Sequence, residues 1–556
     1  MYPRVLMIGL DGMTFDVLDP LIEEGVTPAI GRLVKEGARA PLETIFPPLT
    51  AAAWTSAVTG KNPGKHGILE FFLRRPGTME DMAVNQKLRD SRAIWDLLGD
   101  AGIRSIVTNV PCTYPPEHIP GVMISDFLTP GGRRDFVTPD GKLDEIEAEF
   151  GPYRLHLGGT YRRGQIDSVV DELIDEVEYK TKVNRYLMGR EEWGACFTHV
   201  WGTDRIQHEL WHVVDPRHPR HDPAEAKEYR PRVMEYWTRV DDCVAQMVEA
   251  AGPSCHTLLV SDHGFGPLHK YCSFNVWLLQ QGLLRLKSDA ATMVKRLAFS
   301  LGVTPEFAFK MSRKLSAGGA KAKRGVTADR TARGKLNKLF LSFNNVDWST
   351  TRVYSKGNYG QLFVNLKGRE PQGTVAPGTE YEAVRDDLIR RLRAVEDPET
   401  GKPLIGEVFK REELFHGRHV ESAPDVCFLP ADMRYISIGD MDFTSNRFIV
   451  DAFGISGGHR MHGIFAAHGP SIRRGTALGA AHITDLTPTM LHLLGQPIVD
   501  DMDGHVLVDA LDPAFMEANP IRTVPATGGH EAADADLSAD ETGEIKDRLR
   551  ELGYLG

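Results

Sequence analysis

The chain has 556 residues, 42% hydrophobic and 25% charged, which is the profile of a globular protein large enough for more than one lobe. Asp and Glu outnumber Lys and Arg by 76 to 65, and the net charge of −11 speaks against a nucleic-acid polymer as partner. The six cysteines, Cys112, Cys196, Cys243, Cys255, Cys272 and Cys427, form no CxxC pair, so neither a thiolate zinc site nor a disulfide framework is expected.

The run "RVLMIGL" at 4–10 is apolar, strand-length and stops at Asp11-Gly12. It lacks a basic region, a long apolar stretch and a cleavage site, so it reads as a first strand and not as a signal peptide. No segment reaches the about 18 consecutive apolar residues needed to span a bilayer, and the expected location is the cytoplasm. A helix is expected near 29–37. In "IFPPLTAAAWTSAVTGKNPGKHGI" (45–68), Pro47-Pro48 end an extended segment and a short helix then stops at Gly60. Thr50 is expected at or near its N-cap. There its hydroxyl would meet free N–H groups and the positive end of the helix dipole, which favour an anionic ligand. Plain capping is the alternative.

"RSIVTNV" (104–110) reads as a strand and carries Asn109. In "GTDRIQHELWH" (202–212), Asp204 and His208 stand four apart, so on a helix they share one face and can reach one ion. "HTLLVSDHGFGP" (256–267) is a buried strand that delivers Asp262 and His263 to the end of a sheet, where open α/β sheets bind ligands. Taken alone, Asp-His-Gly is also an ordinary loop.

From Lys310 to Lys338 there are ten Lys or Arg and one acid, Asp329. This run follows an amphipathic helical pattern at about 291–315. The stretch 286–345 is therefore read as a basic, cap-like insertion. Its field would draw in anionic substrates, or its helix would make peripheral contact with an anionic membrane surface; a solvated loop is the bland reading. "GIFAAHGP" (463–470) is a further core strand, preceded by a Gly-rich loop "SGGHRMHG" holding His459. In "HITDLTPTMLHLLG" (482–495) a strand end leads into a helix, with Asp485 and Thr487 as caps. Residues 524–543 read as a linker before a short charged helix that could dock on the body.

The alternation of strands and helices predicts an α/β fold with a mostly parallel sheet and helices on both faces. The expected division is 1–285 as the first part of the core, 286–345 as the insertion, 346–510 as the second part, and 511–556 as linker and terminal helix. Three Asp (Asp11, Asp204, Asp262) and three His (His208, His263, His459) from separate strand ends suit two divalent cations. Imidazole with carboxylate favours zinc, with manganese and iron as alternatives. His212, His269, His462 and His468 are rivals. His459 is preferred to His462 because two glycines before it let the backbone approach closely. A Thr50 hydroxyl facing one such ion becomes a nucleophile.

Asp11-Gly12, "VTGKNPGKHGI", "DRIQH", "DHGFGP" and "GGHRMHGIF" occur in the order seen in the alkaline phosphatase superfamily. The chain most resembles its type I phosphodiesterase/nucleotide pyrophosphatase branch, in particular soluble bacterial members, over about 1–285 and 345–510. The resemblance implies an alkaline phosphatase-like core, with Thr50 as nucleophile. It assigns Asp11, Thr50, Asp262 and His263 to one zinc, and Asp204, His208 and His459 to the other. It implies hydrolysis of a small anionic phosphoester, nucleotide-like or lipid head-group-like, through a phosphothreonine. The alternatives are phosphomonoester or phosphonate hydrolysis, phosphoryl transfer, or a catalytically silent binding protein. Nucleotide pyrophosphatases carry an Asn three residues after the nucleophile that binds phosphoryl oxygens. Here Ala53 stands there, which weakens nucleotide specificity, and Asn109 is the candidate replacement. "LTAAAW" lacks the Cys/Ser-x-Pro-x-Arg motif of sulfatases.

Overall fold

A computed structural model describes residues 3–156, 166–308, 311, 340–439, 443–526 and 537–552. Apart from Met311, the basic run Lys310–Lys338 lies outside them, as does half of the linker 524–543.

The elements that matter for the site, in chain order, are β1 (Arg4–Leu10), β2 (Ala38–Glu43), α1 (Thr50–Thr59), β3 (Ser105–Thr108), β4 (Gly121–Ile124), α2 (Ile166–Arg190), β5 (Ala195–Val200), α3 (Gly202–Val214), α4 (Pro223–Ala251), β6 (Cys255–Val260), β7 (Gly264–Pro267), α5 (Ala290–Ser300), β8 (Gly457–Arg460), β9 (His462–His468), α6 (Leu486–Leu493) and α7 (Ala539–Leu552). The large sheet has the order β2-β9-β6-β1-β5-β3-β4, extended beside β2 by two two-residue strands and beside β4 by one. β1 pairs in parallel with β5 and β6, and β3 with β4 and β5; β9 runs antiparallel to β2 and β6.

β1 reads as an unbroken apolar run because both its faces are covered. Leu6, Ile8 and Leu10 belong to the core layer that includes α2 and α4, while Val5 and Met7 point into the layer of α1 and α6. This is the period-2 alternation of a strand sandwiched between helices. The parallel register brings the ends of β1, β5 and β6 to one edge: Leu10 is level with Val200, and Gly9 with Val260.

A smaller antiparallel sheet (Val353–Ser355, Gln361–Val364, Val426–Pro430, Ile405–Lys410) forms apart from the large one, around Phe274, Val364 and Phe428. The expected amphipathic helix is present in its first part: α5 stops at Ser300, before Gly302, whose φ of +86° breaks the helical path. Residues 305–308 are again helical, and 309–310 and 312–315 lie outside the described residues. The terminal helix α7 docks on the body through buried Ile545 and Leu549. Lys546 pairs with Asp81 at 2.5 Å, and Arg548 donates to the Phe127 and Thr129 carbonyls. Thr487 does not cap α6; its hydroxyl donates to Ala57 O at 2.7 Å, tying α6 to α1. Asp485 caps one turn earlier, accepting from His482 N.

Candidate metal centre

Asp11 leaves β1 at a turn made by Gly12, whose φ of +64° lets its N–H donate to Asp262 Oδ1 at 3.1 Å. Asp262 and His263 leave β6 beside it. α3 begins just past β5 and places Asp204 and His208 one turn apart on one face, both buried. His459 was expected in a loop; it lies instead on β8, opposite Phe265 of β7. Arg460 locks this pair by donating to the Gly458, His459 and Pro267 carbonyls.

Two groups of three result: Asp11, Asp262 and His263, and Asp204, His208 and His459, each with ligand atoms within 4.8 Å of one another. The groups adjoin, since the His263 and His459 rings stack at 3.6 Å. Thr50 Oγ1 stands 3.5 Å from His263 Nε2. Thr50 is the first residue inside α1 and not its cap, which is Leu49. Its place at the N-terminal end of the helix, where first-turn N–H groups lack intrahelical acceptors, is as expected.

Each histidine presents Nε2 to the site because Nδ1–H is spent on a carbonyl: His208 on Gly457 O (3.0 Å), His459 on Pro48 O (2.7 Å) and His263 on Gly264 O (3.0 Å). Those bonds assign the tautomers. His208 Nε2 and His459 Nε2 then face each other at 3.0 Å, lone pair to lone pair. Asp11 Oδ1, Asp204 Oδ1 and Asp262 Oδ2 are buried with no hydrogen-bond donor. Acceptors gathered in this way without donors are costly unless a cation serves them. Three carboxylates and three Nε2 atoms in two sets fit divalent transition metals.

Burial pushes the Asp262 carboxyl up to about 7, and burial together with Asp262 and Asp204 raises Asp11 well above the usual carboxylate range. Asp204 is buried too, yet His208 and His459 hold it low. Burial brings His208 down to about 4, so its imidazole is neutral, the form that ligates metal.

Asn109 is not brought into either group. It is buried beyond β3, where its Oδ1 accepts from Tyr153 Oη and its Nδ2 donates to Ser125 O, both at 2.8 Å. Of the rival histidines, His212 bonds Ser456, His462 lies exposed at the start of β9, and His468 lies at its other end. Sequence reasoning missed His199. It sits on β5 level with Gly9, and its Nε2 donates to Asp11 Oδ2 at 2.6 Å. Trp54 Nε1 donates to the same oxygen at 3.2 Å, so both hold Asp11 with Oδ1 turned to the site. A lone His in the otherwise strand-like "ACFTHV" is the only signal the sequence offers. Tyr359 was missed as well; its ring stacks on His459 and its hydroxyl accepts from His459 N at 3.3 Å.

The large, mostly parallel sheet with helices on both faces defines an alkaline phosphatase-like fold. The type I phosphodiesterase/nucleotide pyrophosphatase family profile matches residues 5–442, and the chain belongs to that family of metal-dependent phosphoester hydrolases. Among solved structures, phosphonoacetate hydrolase from Sinorhizobium meliloti is similar at 15% identity and a TM-score of 0.52, over 87% of this chain and 95% of that one. Human ectonucleotide pyrophosphatase/phosphodiesterase 5 is similar at 14% identity and a TM-score of 0.47, over 92% of this chain and 100% of that one. No curated protein matches the sequence significantly. No helix among the described residues is long and apolar enough to cross a membrane.

Proposed function

We propose that this protein is a two-metal phosphodiesterase with Thr50 as nucleophile. The observation that carries the reading is the convergence of two buried Asp/His groups beside the Thr50 hydroxyl at the start of α1. Asp11, Thr50, Asp262 and His263 would hold one ion, and Asp204, His208 and His459 the other, with zinc favoured by the donor set and manganese and iron as alternatives. Such ions supply Lewis-acid neutralisation of phosphoryl charge and lower the pKa of a bound hydroxyl. The chain's own part is positional. The N-terminal end of α1 presents N–H groups to an anionic phosphoryl group. Thr50 Oγ1 attacks phosphorus, the ester oxygen departs, and water cleaves the resulting phosphothreonine. Ala53 carries no side-chain amide where nucleotide pyrophosphatases place an Asn, so a dedicated nucleotide clamp is not expected from that position. Six buried free thiols fit a reducing cytoplasm.

Thr50→Ala is expected to lower turnover of a chromogenic diester about 1,000-fold or more while most metal stays bound. Thr50→Ser should keep part of the rate. Chelation should abolish activity, and zinc or manganese should restore it. Wild-type turnover by Thr50→Ala would exclude the covalent route, and full activity of metal-free protein would exclude the metal reading. A panel of monoesters, diesters and phosphonates decides the substrate class.

A further inference from the structure

α5 is held to the body along one side only. Asp289 caps its first turn by accepting from Thr292 N, and buried Thr292 and Phe299 face inward; Asn345 bonds the Thr292 hydroxyl at 2.9 Å, and Phe299 packs edge-on against Phe443. At 100° per residue, Met293, Leu297, Leu301 and Val294 fall on a single arc on the opposite side of the helix. They are 60%, 62%, 75% and 68% exposed. Phe307 and Met311, further along the chain, are exposed as well, at 51% and 41%. Large exposed hydrophobics are otherwise confined, among the described residues, to Val303 nearby and to Val508, Ile521 and Val524 elsewhere. A concentration of this kind on one helix marks a contact surface.

We infer that this outward face of α5 lies on an anionic phospholipid surface. The charge around it selects that occupant. Arg296, exposed, and Lys295, half-buried, flank the side that packs on the body, one on each side of the helix between it and the apolar arc, where long basic side chains can reach lipid phosphates. No acidic residue occurs from Ala290 to Pro305. The chain as a whole is acidic, with a net charge of −11. An anionic bilayer therefore repels most of the surface and attracts this one, which orients the molecule. A second copy of the chain is a poor occupant, because its α5 offers no acidic residue to pair with Lys295 and Arg296. The helix lies in the interface and does not span the bilayer.

Flotation with vesicles tests this directly. The full-length protein should float with phosphatidylcholine vesicles containing about one-third phosphatidylglycerol, but not with phosphatidylcholine alone, and binding should weaken as salt shortens the range of the charge attraction. The double variant Leu297→Asp with Leu301→Asp should bind about tenfold or more weakly, with an unchanged melting temperature because both positions are exposed. Failure of the wild type to float with anionic vesicles at low salt overturns the inference. So does a double variant that binds as well as the wild type. A wild-type dimer that the variant converts to monomer, without vesicle binding, would also overturn it by making the face a self-association surface.

Discussion

His459 and His462 stand in one short run, and backbone geometry divides their roles. His459 is buried on β8, with Nδ1 tied to Pro48 O and Nε2 turned to Asp204 at 3.4 Å. His462 is exposed and pairs through its backbone with Glu43. His459→Ala should release about one of two metal equivalents, measured by elemental analysis after gel filtration, and abolish turnover. His462→Ala should change neither. The reverse ranking would move the ligand. His199 acts one step further out: it touches the Asp11 oxygen that faces away from the site, and so orients that carboxylate.

At the level of elements, the site rests on pieces far apart in the chain. Half-buried Arg460 braces the β7–β8 pair by donating to three carbonyls, and desolvation lowers its guanidinium to about 10. The α5 helix shows a different balance: Thr292 and Phe299 anchor it while more of its apolar side chains point outward. The α7 helix is fastened more firmly. Leu549 is fully buried, and Leu549→Ala should cost about 2–4 kcal/mol. Because α7 is an end element, the loss should appear in hydrogen exchange as lost protection over 539–552, with the large sheet unaffected. Unchanged protection there would mean that α7 is not held by this contact.

For the whole molecule, buried neutral imidazoles link folding to pH. Burial, and then the Arg89 guanidinium, lowers His66 to about 3; burial also lowers His156 and His269 to about 4. A depressed pKa contributes stability that is present above the unfolded value, near 6.5, and lost as pH falls toward the folded value. His66 alone should therefore cost about 1.4 kcal/mol per pH unit below 6.5, or about 2 kcal/mol at pH 5. Burial raises Asp126 to about 6, and this works in the opposite sense, its stabilisation being lost as pH rises. The clean measurement is thus a difference. Denaturant midpoints of wild type and His66→Gln between pH 7 and 5 should show a shallower decline for the variant by one proton's worth. Parallel curves would mean that His66 is protonated, or not buried, in the folded state.

What the sequence determined by itself was local. Apolar runs ending in Asp11 and in Asp262-His263 announced strands that present ligands, and the spacing of Asp204 and His208 announced a shared helical face. Each depends on the period of a single element, which adjacent residues set. The type of fold follows from the alternation of such elements. The tertiary structure decided what depends on contacts between distant segments. It put His459 on a strand, because β8 pairs with β7 across almost two hundred residues of chain. It placed Thr50 inside α1, joined His199 to Asp11, and engaged the Asn109 amide with Tyr153. Periodicity reported that α5 is amphipathic but not which arc meets the body. That choice belongs to the partners Asn345 and Phe443, whose approach no local pattern encodes.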